Sequence, residues 1–313
     1  MTSDIDVIVH EVGPRDGLQA TNVIMPTTAK IEWIAALKDA GVPMIQAGSF
    51  VPPKLVPQLA DSAEVVRAAK AMGGFKVSAL IPNLKGAMNA LEAGVDLLDF
   101  VMSASEAHNL SNVRKTHEQS IEEFLEIVAL KGSDPAYAGV MLNGTIATSF
   151  GCTISGPVDP KTVFHLVETY IATGADSISI ADTVGYANPK QVGEIFTQAR
   201  AIAGELIVGA HFHDTRGLGL ANAFAALEAG VRQFDGCLGG LGGCPFAPGA
   251  TGNVVTEDLV FMFEAMGLRT GIDLDRLLAA RDVMKSHLDG EPTHGAIAKA
   301  GPPKGFEPAT VQP

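Results

Sequence analysis

His211 and His213 stand at the end of an apolar run, Ile207-Val208-Gly209-Ala210, and Asp214 follows them. Side chains alternate along an extended chain, so the two imidazoles point the same way and form a ledge that can hold a divalent cation. A second polar knot follows the run Val7-Ile8-Val9, where Glu11, Arg15 and Asp16 fall within six positions and Gln19 comes soon after. Taken alone, a solvated loop explains those charges as readily as a site does. The third feature is the glycine-rich stretch from Gly236 to Asn253, which contains Cys237 and Cys244. Glycine at this density makes a mobile loop that backbone or ligand can approach closely. No Gly-Lys-Ser/Thr follows it, which excludes a Walker phosphate loop. Cys244 reads as an acid that swings over a substrate, and Cys237 as a small buried hydrophobe. Asn253 suits a helix cap, a metal ligand or both. Together Asp16, His211, His213 and Asn253 offer two imidazoles and two oxygens with positions left for water and substrate. Such a set suits a catalytic Mg²⁺ or Mn²⁺ and fits a closed structural zinc poorly.

Positioning these residues requires elements that end at one face. Eight short apolar or β-branched runs predict strands: 7–9, 44–45, 76–81, 97–101, 138–142, 177–180, 207–210 and 231–234. Between and after them, helical periodicity covers 28–40, 62–71, 83–92, 121–130, 160–171, 189–201, 219–229 and 257–266. Prolines at helix starts and glycines just beyond helix ends mark several boundaries. Eight alternations with short links predict an α/β fold of the (β/α)8 TIM-barrel type, with an open doubly wound sheet as the alternative. In such a barrel the chemistry sits at the C-terminal ends of the strands, where the polar clusters fall. The hexapeptide Ala-Leu-Glu-Ala-Gly-Val occurs at both 90–95 and 226–231, and two helix ends meeting the next strand alike account for it. Residues 1–270 are expected to form the catalytic barrel. Residues 271–313 are expected to add a helix over 273–288 and a Gly/Pro-rich tail packed on the barrel or a partner chain.

The composition narrows the function classes. The chain has 313 residues, of which 47% are hydrophobic and 18% charged, enough apolar content for a large core and too much for a disordered chain. A net charge of −13 disfavours a phosphate-backbone surface, so nucleic acid is not the expected partner. Three cysteines cannot form a secreted disulfide framework. Asp4 and Asp6 stand where a secretory signal needs a basic flank, and no run is long enough to span a membrane. A soluble cytoplasmic protein is expected.

Five segments resemble the 3-hydroxy-3-methylglutaryl-CoA lyase family, within the larger group of metal-dependent TIM-barrel lyases and synthases. They are Val12 to Gln19, Ser49 to Gln58, Ala181 to Gly185, His211 to Thr215, and Gly239 to Asp258. The resemblance spans Glu11 to about Gly267, and the five segments in this order make it specific. It implies Asp16, His211, His213 and Asn253 as metal ligands, Arg15 as the cationic substrate contact and Cys244 as the loop thiol. Asp182, Glu11 and Gln19 match polar positions around the same site, and a homodimer is implied. At two positions the chain departs from the family. The family's glutamate three residues before the Ser-Phe-Val segment is Gln46 here, and an amide cannot exchange protons as a carboxyl can. The family's aromatic after His-Asp-Thr is Arg216, suited to a CoA phosphate or a second carboxylate. The implied reaction is retro-Claisen cleavage of a 3-hydroxyacyl-CoA, with His211 or Asp16 taking the hydroxyl proton and Cys244 returning one to carbon. For hydroxymethylglutaryl-CoA the products are acetyl-CoA and acetoacetate. An acyl-CoA condensing synthase is the rival enzyme class, and a catalytically silent binding barrel the rival outside enzymes.

Overall fold

The computed structural model describes residues 5–242 and 252–309. Eight strands pair in parallel and in chain order, and the first closes on the last: β1 (Ile8–Glu11), β2 (Met44–Ser49), β3 (Lys76–Ile81), β4 (Leu97–Ser103), β5 (Met141–Ala147), β6 (Ser177–Asp182), β7 (Ile207–Phe212) and β8 (Gln233–Gly236). The register Ile8 opposite Gln233 and Glu11 opposite Gly236 completes the cylinder. The expected TIM barrel is therefore the observed fold.

Helices cover the outside: α1 (Thr27–Asp39), α2 (Ser62–Met72), α3 (Leu84–Ala93), α4 (Glu106–Val113), α5 (His117–Ser133), α6 (Pro160–Thr173), α7 (Pro189–Ala203), α8 (Gly219–Glu228) and α9 (Thr256–Ala265). Local chemistry sets their ends. Asp159 and Asn188 cap α6 and α7, each with Pro at the first helical position, and Gly94 and Gly174 close α3 and α6 in the left-handed conformation. A capping box of Thr116 and Gln119 starts α5 four residues earlier than its apolar periodicity indicates. Strand β5 begins at Met141 rather than 138, because Asp134 caps a short turn at Pro135–Tyr137 that uses up the preceding residues. The polar helix α4, capped by Ser105, has too few apolar positions to register as a helical period.

After α9, α10 (Leu274–Ser286) lies against α1, with Trp33, Leu37, Leu277 and Met284 all buried. A last turn, α11 (Ile297–Ala300), is held by Asp258, whose carboxylate accepts from Ala296 N and Ile297 N. The tail continues with Phe306 against Phe261, ring centroids 5.2 Å apart. No helix among the described residues is long and apolar enough to cross a membrane.

Apolar side chains fill the space between strands and helices, whereas much of the barrel's interior is polar. Gln46, Ser78, Asp99, Asn143, Thr145, Ser177 and Ser179 are buried there and joined by hydrogen bonds across the strands.

Candidate active site

The chain leaving β1 winds into one wide helical turn, Gly13–Gly17, which buries Arg15 and Asp16 over the C-terminal end of the barrel. Strand β7 delivers His211 and, one step beyond its end, His213, with ring centroids 5.1 Å apart. Asn253 arrives by a different route. Val254 N donates to Phe212 O and Asp214 N to Gly252 O, which pins 252–254 against the end of β7. α9 has Val255 at its N-cap and no side-chain cap, so Asn253 does not cap it, and a ligand role stays the expectation for this residue. One ligand atom each from Asp16, His211 and His213 lies within 4.8 Å of the others, and all three residues are buried. Asn253 Nδ2 donates to Asp16 Oδ2 (2.7 Å) and Leu241 O, leaving Oδ1 buried without a hydrogen-bond partner among the described residues. Buried polar atoms are normally satisfied, so an orphaned oxygen beside two imidazoles and a carboxylate fits a cation.

The electrostatics agree with that fit. Burial alone would push the Asp16 carboxyl up, but Arg15, both histidines and Asn253 hold it at about 2. Burial and the neighbouring His211 push His213 down to about 4, so it is neutral and able to ligate near neutrality. Burial would likewise lower His211, yet the Asp235 carboxylate overrides this and raises it. Asp235 accepts from His211 Nδ1 at 3.0 Å through Oδ2. That bond leaves His211 Nε2 directed at Asp16, 3.9 Å away. The other oxygen of Asp235 meets His10 Nδ1 at 2.9 Å, and His10 Nε2 meets Ser78 Oγ at 2.8 Å. The ledge thus has a carboxylate behind it that fixes its tautomer.

Other expected site residues take distinct places. Arg15 donates Nη1 to Asp16 Oδ1 at 2.5 Å and Nε to Gln46 Oε1, and Gln19 Nε2 donates to Asp16 Oδ1 at 2.6 Å. Gln46 is therefore part of the site, with its Nε2 on Asp99 Oδ2 at 3.0 Å. Asp182 ends β6 and accepts from Tyr186 N and Ala187 N, folding the loop at the rim, and burial raises its pKa to about 6. Arg216 is exposed at the same rim, donates to the carbonyls of Val184 and Gly185, and sits 4.5 Å over the Tyr186 ring. The expectation for Glu11 needs correction. Its carboxylate is fully buried and accepts from Gly13 N, Leu238 N and Thr256 Oγ1, so it ties β1, the β8 exit and α9 together beneath the site instead of facing substrate. Cys244 lies outside the described residues. Cys237 is a buried free thiol in contact range of Gly17, as expected of a small hydrophobe.

Sequence reasoning missed Asp235, His10 and Asp99. The signal was a titratable residue breaking an apolar strand run, Leu97-Leu98-Asp99-Phe100 being the plainest case.

Comparison with known proteins agrees with the geometry. The HMGL-like family model matches residues 6–284. The chain is 40% identical to the mitochondrial hydroxymethylglutaryl-CoA lyase of Arabidopsis thaliana over 94% of its own length, and spans 62% of that protein's length. It is 39% identical to the (R)-citramalyl-CoA lyase of Chloroflexus aurantiacus, over 95% of both chains. Among solved structures, an HMG-CoA lyase from Acinetobacter baumannii in complex with coenzyme A and 3-methylmalate superposes with a TM-score of 0.89 at 46% identity, covering 96% of this chain and 97% of that one. With barrel, site and near full-length similarity in agreement, the chain belongs to the HMGL-like family.

Proposed function

We propose that the protein is a divalent-cation-dependent carbon–carbon lyase that cleaves hydroxymethylglutaryl-CoA, or a close 3-hydroxyacyl-CoA, by a retro-Claisen step. The observation that carries this reading is the convergence of Asp16, His211, His213 and the unpartnered Asn253 Oδ1 beside the Arg15 guanidinium. Those four side chains would hold Mg²⁺ or Mn²⁺, which would supply Lewis-acid polarisation of the substrate's 3-hydroxyl. Asp235 holds His211 Nδ1, so the lone pair of His211 stays on the side of the site. Because that one free lone pair of His211 would be committed to the cation, the hydroxyl proton passes to Asp16, the bond between C2 and C3 breaks, and C3 becomes a ketone. Negative charge then develops on the thioester enolate, and Arg15, fixed by Asp16 and Gln46, stabilises it. The Cys244 thiol protonates the enolate carbon. Gln46 orients without exchanging a proton. Asp182 shapes the rim, and Arg216 offers a cation there to the CoA phosphates.

Gln46 also favours a second reading, in which the acyl group differs from hydroxymethylglutaryl, as it does for the citramalyl-CoA relative. The catalytic unit is assigned to 1–270 and a supporting extension to 271–313, in keeping with the bond from Arg281 to Glu257 behind the β8 exit. Free Cys152 and Cys237 are in keeping with a cytoplasmic location, and the homodimer is carried over from the family resemblance. Substrate depletion over a panel of 3-hydroxyacyl-CoA thioesters, with Mg²⁺, Mn²⁺ or chelator, tests the proposal. Cation-dependent loss of hydroxymethylglutaryl-CoA with equimolar acetyl-CoA and acetoacetate supports the first reading. Preference for citramalyl-CoA supports the second, and no cleavage of any thioester refutes both.

A further inference from the structure

Gln46 is fully buried and sits between two groups of opposite charge. Its Oε1 accepts from Arg15 Nε, and its Nε2 donates to Asp99 Oδ2 at 3.0 Å. The other oxygen of Asp99 is filled by Asn143 Nδ2 at 3.0 Å and Thr145 Oγ1 at 2.6 Å. Asp99 is 8% exposed and forms no ion pair among the described residues, so neutral donors alone compensate its buried carboxylate. A buried charge without a counter-ion is costly, and one set a single amide away from a guanidinium answers to a specific demand.

The demand follows from the shape of an amide. Its oxygen and nitrogen ends are nearly equal in size, and only the neighbours decide which end faces which way. Turned over, Gln46 would set an N–H against the N–H of Arg15 and an oxygen against the Asp99 carboxylate. Asp99 forbids that arrangement. Arg15 is then held at two points, Nε by Gln46 and Nη1 by Asp16, and its other N–H groups stay available to a substrate.

We propose that Asp99 is a positioning residue for Arg15, acting through the Gln46 amide, so that β4 carries the carboxylate that sets the aim of the substrate-binding cation. The inference rests on the proposed role of Arg15 as substrate contact. It implies that residues 46 and 99 act as one unit, and that an amide and a carboxylate can exchange places between them.

Three near-isosteric variants test this. In Asp99→Asn the new amide keeps its oxygen on Asn143 and Thr145, presents N–H to Gln46 and turns that amide over against Arg15. In Gln46→Glu the bond to Arg15 survives, but two carboxyl groups face each other about 3 Å apart, a like-charge contact relieved only by the uptake of a shared proton, so this variant is assayed at alkaline pH. In the double variant Gln46→Glu/Asp99→Asn the carboxylate accepts from Arg15 and from the new amide, so every donor again meets an acceptor. Two readouts are taken for all four proteins: kcat and KM with hydroxymethylglutaryl-CoA or citramalyl-CoA, and the thermal midpoint without substrate. Each single variant should lose about ten-fold or more in kcat, the equivalent of one misdirected charge-assisted hydrogen bond, and should melt a few degrees lower. The double variant should recover kcat to within about three-fold of wild type and recover its midpoint, a non-additivity expected only of groups in contact. Additive losses overturn the proposal. Recovery of the midpoint without recovery of kcat overturns the positioning role, since the pair would then serve the fold alone. No turnover by the wild type would refute the lyase reading, and the unfolding cycle would then decide the pairing, additivity again overturning it.

Discussion

Replacing Asp235 by Asn removes one charge and almost no volume, and so isolates what the carboxylate behind the ledge contributes. Asp235 accepts from His211 Nδ1 at 3.0 Å and from His10 Nδ1 at 2.9 Å. Asparagine can accept at one end only, so one histidine must change tautomer. His10 can do so at little cost: with its proton on Nε2 it donates to Ser78 Oγ, 2.8 Å away. The oxygen of the new amide therefore stays on His211, and Nε2 of His211 keeps its lone pair toward Asp16. What is lost is charge assistance. A hydrogen bond to a charged group contributes roughly 1.5–3 kcal/mol and a neutral one roughly 0.5–1.5, a difference of about 1–1.5 kcal/mol or about 5- to 15-fold in cation affinity. That range meets the lower part of the roughly 10- to 100-fold losses seen when the groups behind metal ligands are removed. Titrating Mn²⁺ into metal-free wild type and Asp235→Asn by calorimetry measures it directly, with thermal melts to show that both are folded. A dissociation constant within two-fold of wild type would refute the argument that Asp235 tunes the imidazole.

Three further outcomes are expected. Cys244→Ala should lower turnover by about 10²-fold or more, a typical general-acid contribution, while Mn²⁺ affinity stays at the wild-type level; near-normal turnover would remove this thiol from the proton transfer. Gly242 has φ +92°, and a Cβ there would come within 2.8 Å of Asn253 Nδ2 and of Asp16 O, so Gly242→Ala should displace Asn253 and weaken Mn²⁺ binding; calorimetry showing unchanged affinity would exclude Asn253 from the ligand set. Asp6 is tied to Arg269 by bonds of 2.8 Å and 2.9 Å, and that guanidinium holds its carboxyl far below the ordinary 3.8. The folded value is the lower one, so the pair stabilises the fold above the unfolded value and the contribution is lost as pH falls through the folded one. Asp6→Asn should cost about 1 kcal/mol or less at pH 7 after solvent screening, with the gap to wild type closing in urea titrations below about pH 4; a gap that does not depend on pH would place the effect in packing instead.

Local pattern made the architecture legible. Alternation of short apolar runs with helical periods predicts a parallel barrel because each run buries both faces and each helix one, and the closed order from β1 to β8 follows. The ligand residues were readable for a related reason: Asp16, His211 and His213 follow strand runs, and strand ends converge at one face of such a barrel. Glu11 was misread because composition shows that a carboxylate is at a strand exit but not which way it turns. Its partners Leu238 and Thr256 lie 227 and 245 positions away.

Sequence by itself determined the element types, their order and the kinds of donor available to a cation. Only the tertiary structure decided which donors meet. The bridge between His213 and Asn253 sets the latter beside the ledge, and it does not cap α9. Barrel closure sets Asp235 of β8 between His10 of β1 and His211 of β7, and register sets Gln46 of β2 against Asp99 of β4, two strands away. The physical reason is that alternation fixes the face a side chain takes within its own strand. Its neighbours across the barrel depend on how the strands shift against one another on closing, a relation between distant segments that no single stretch of sequence records.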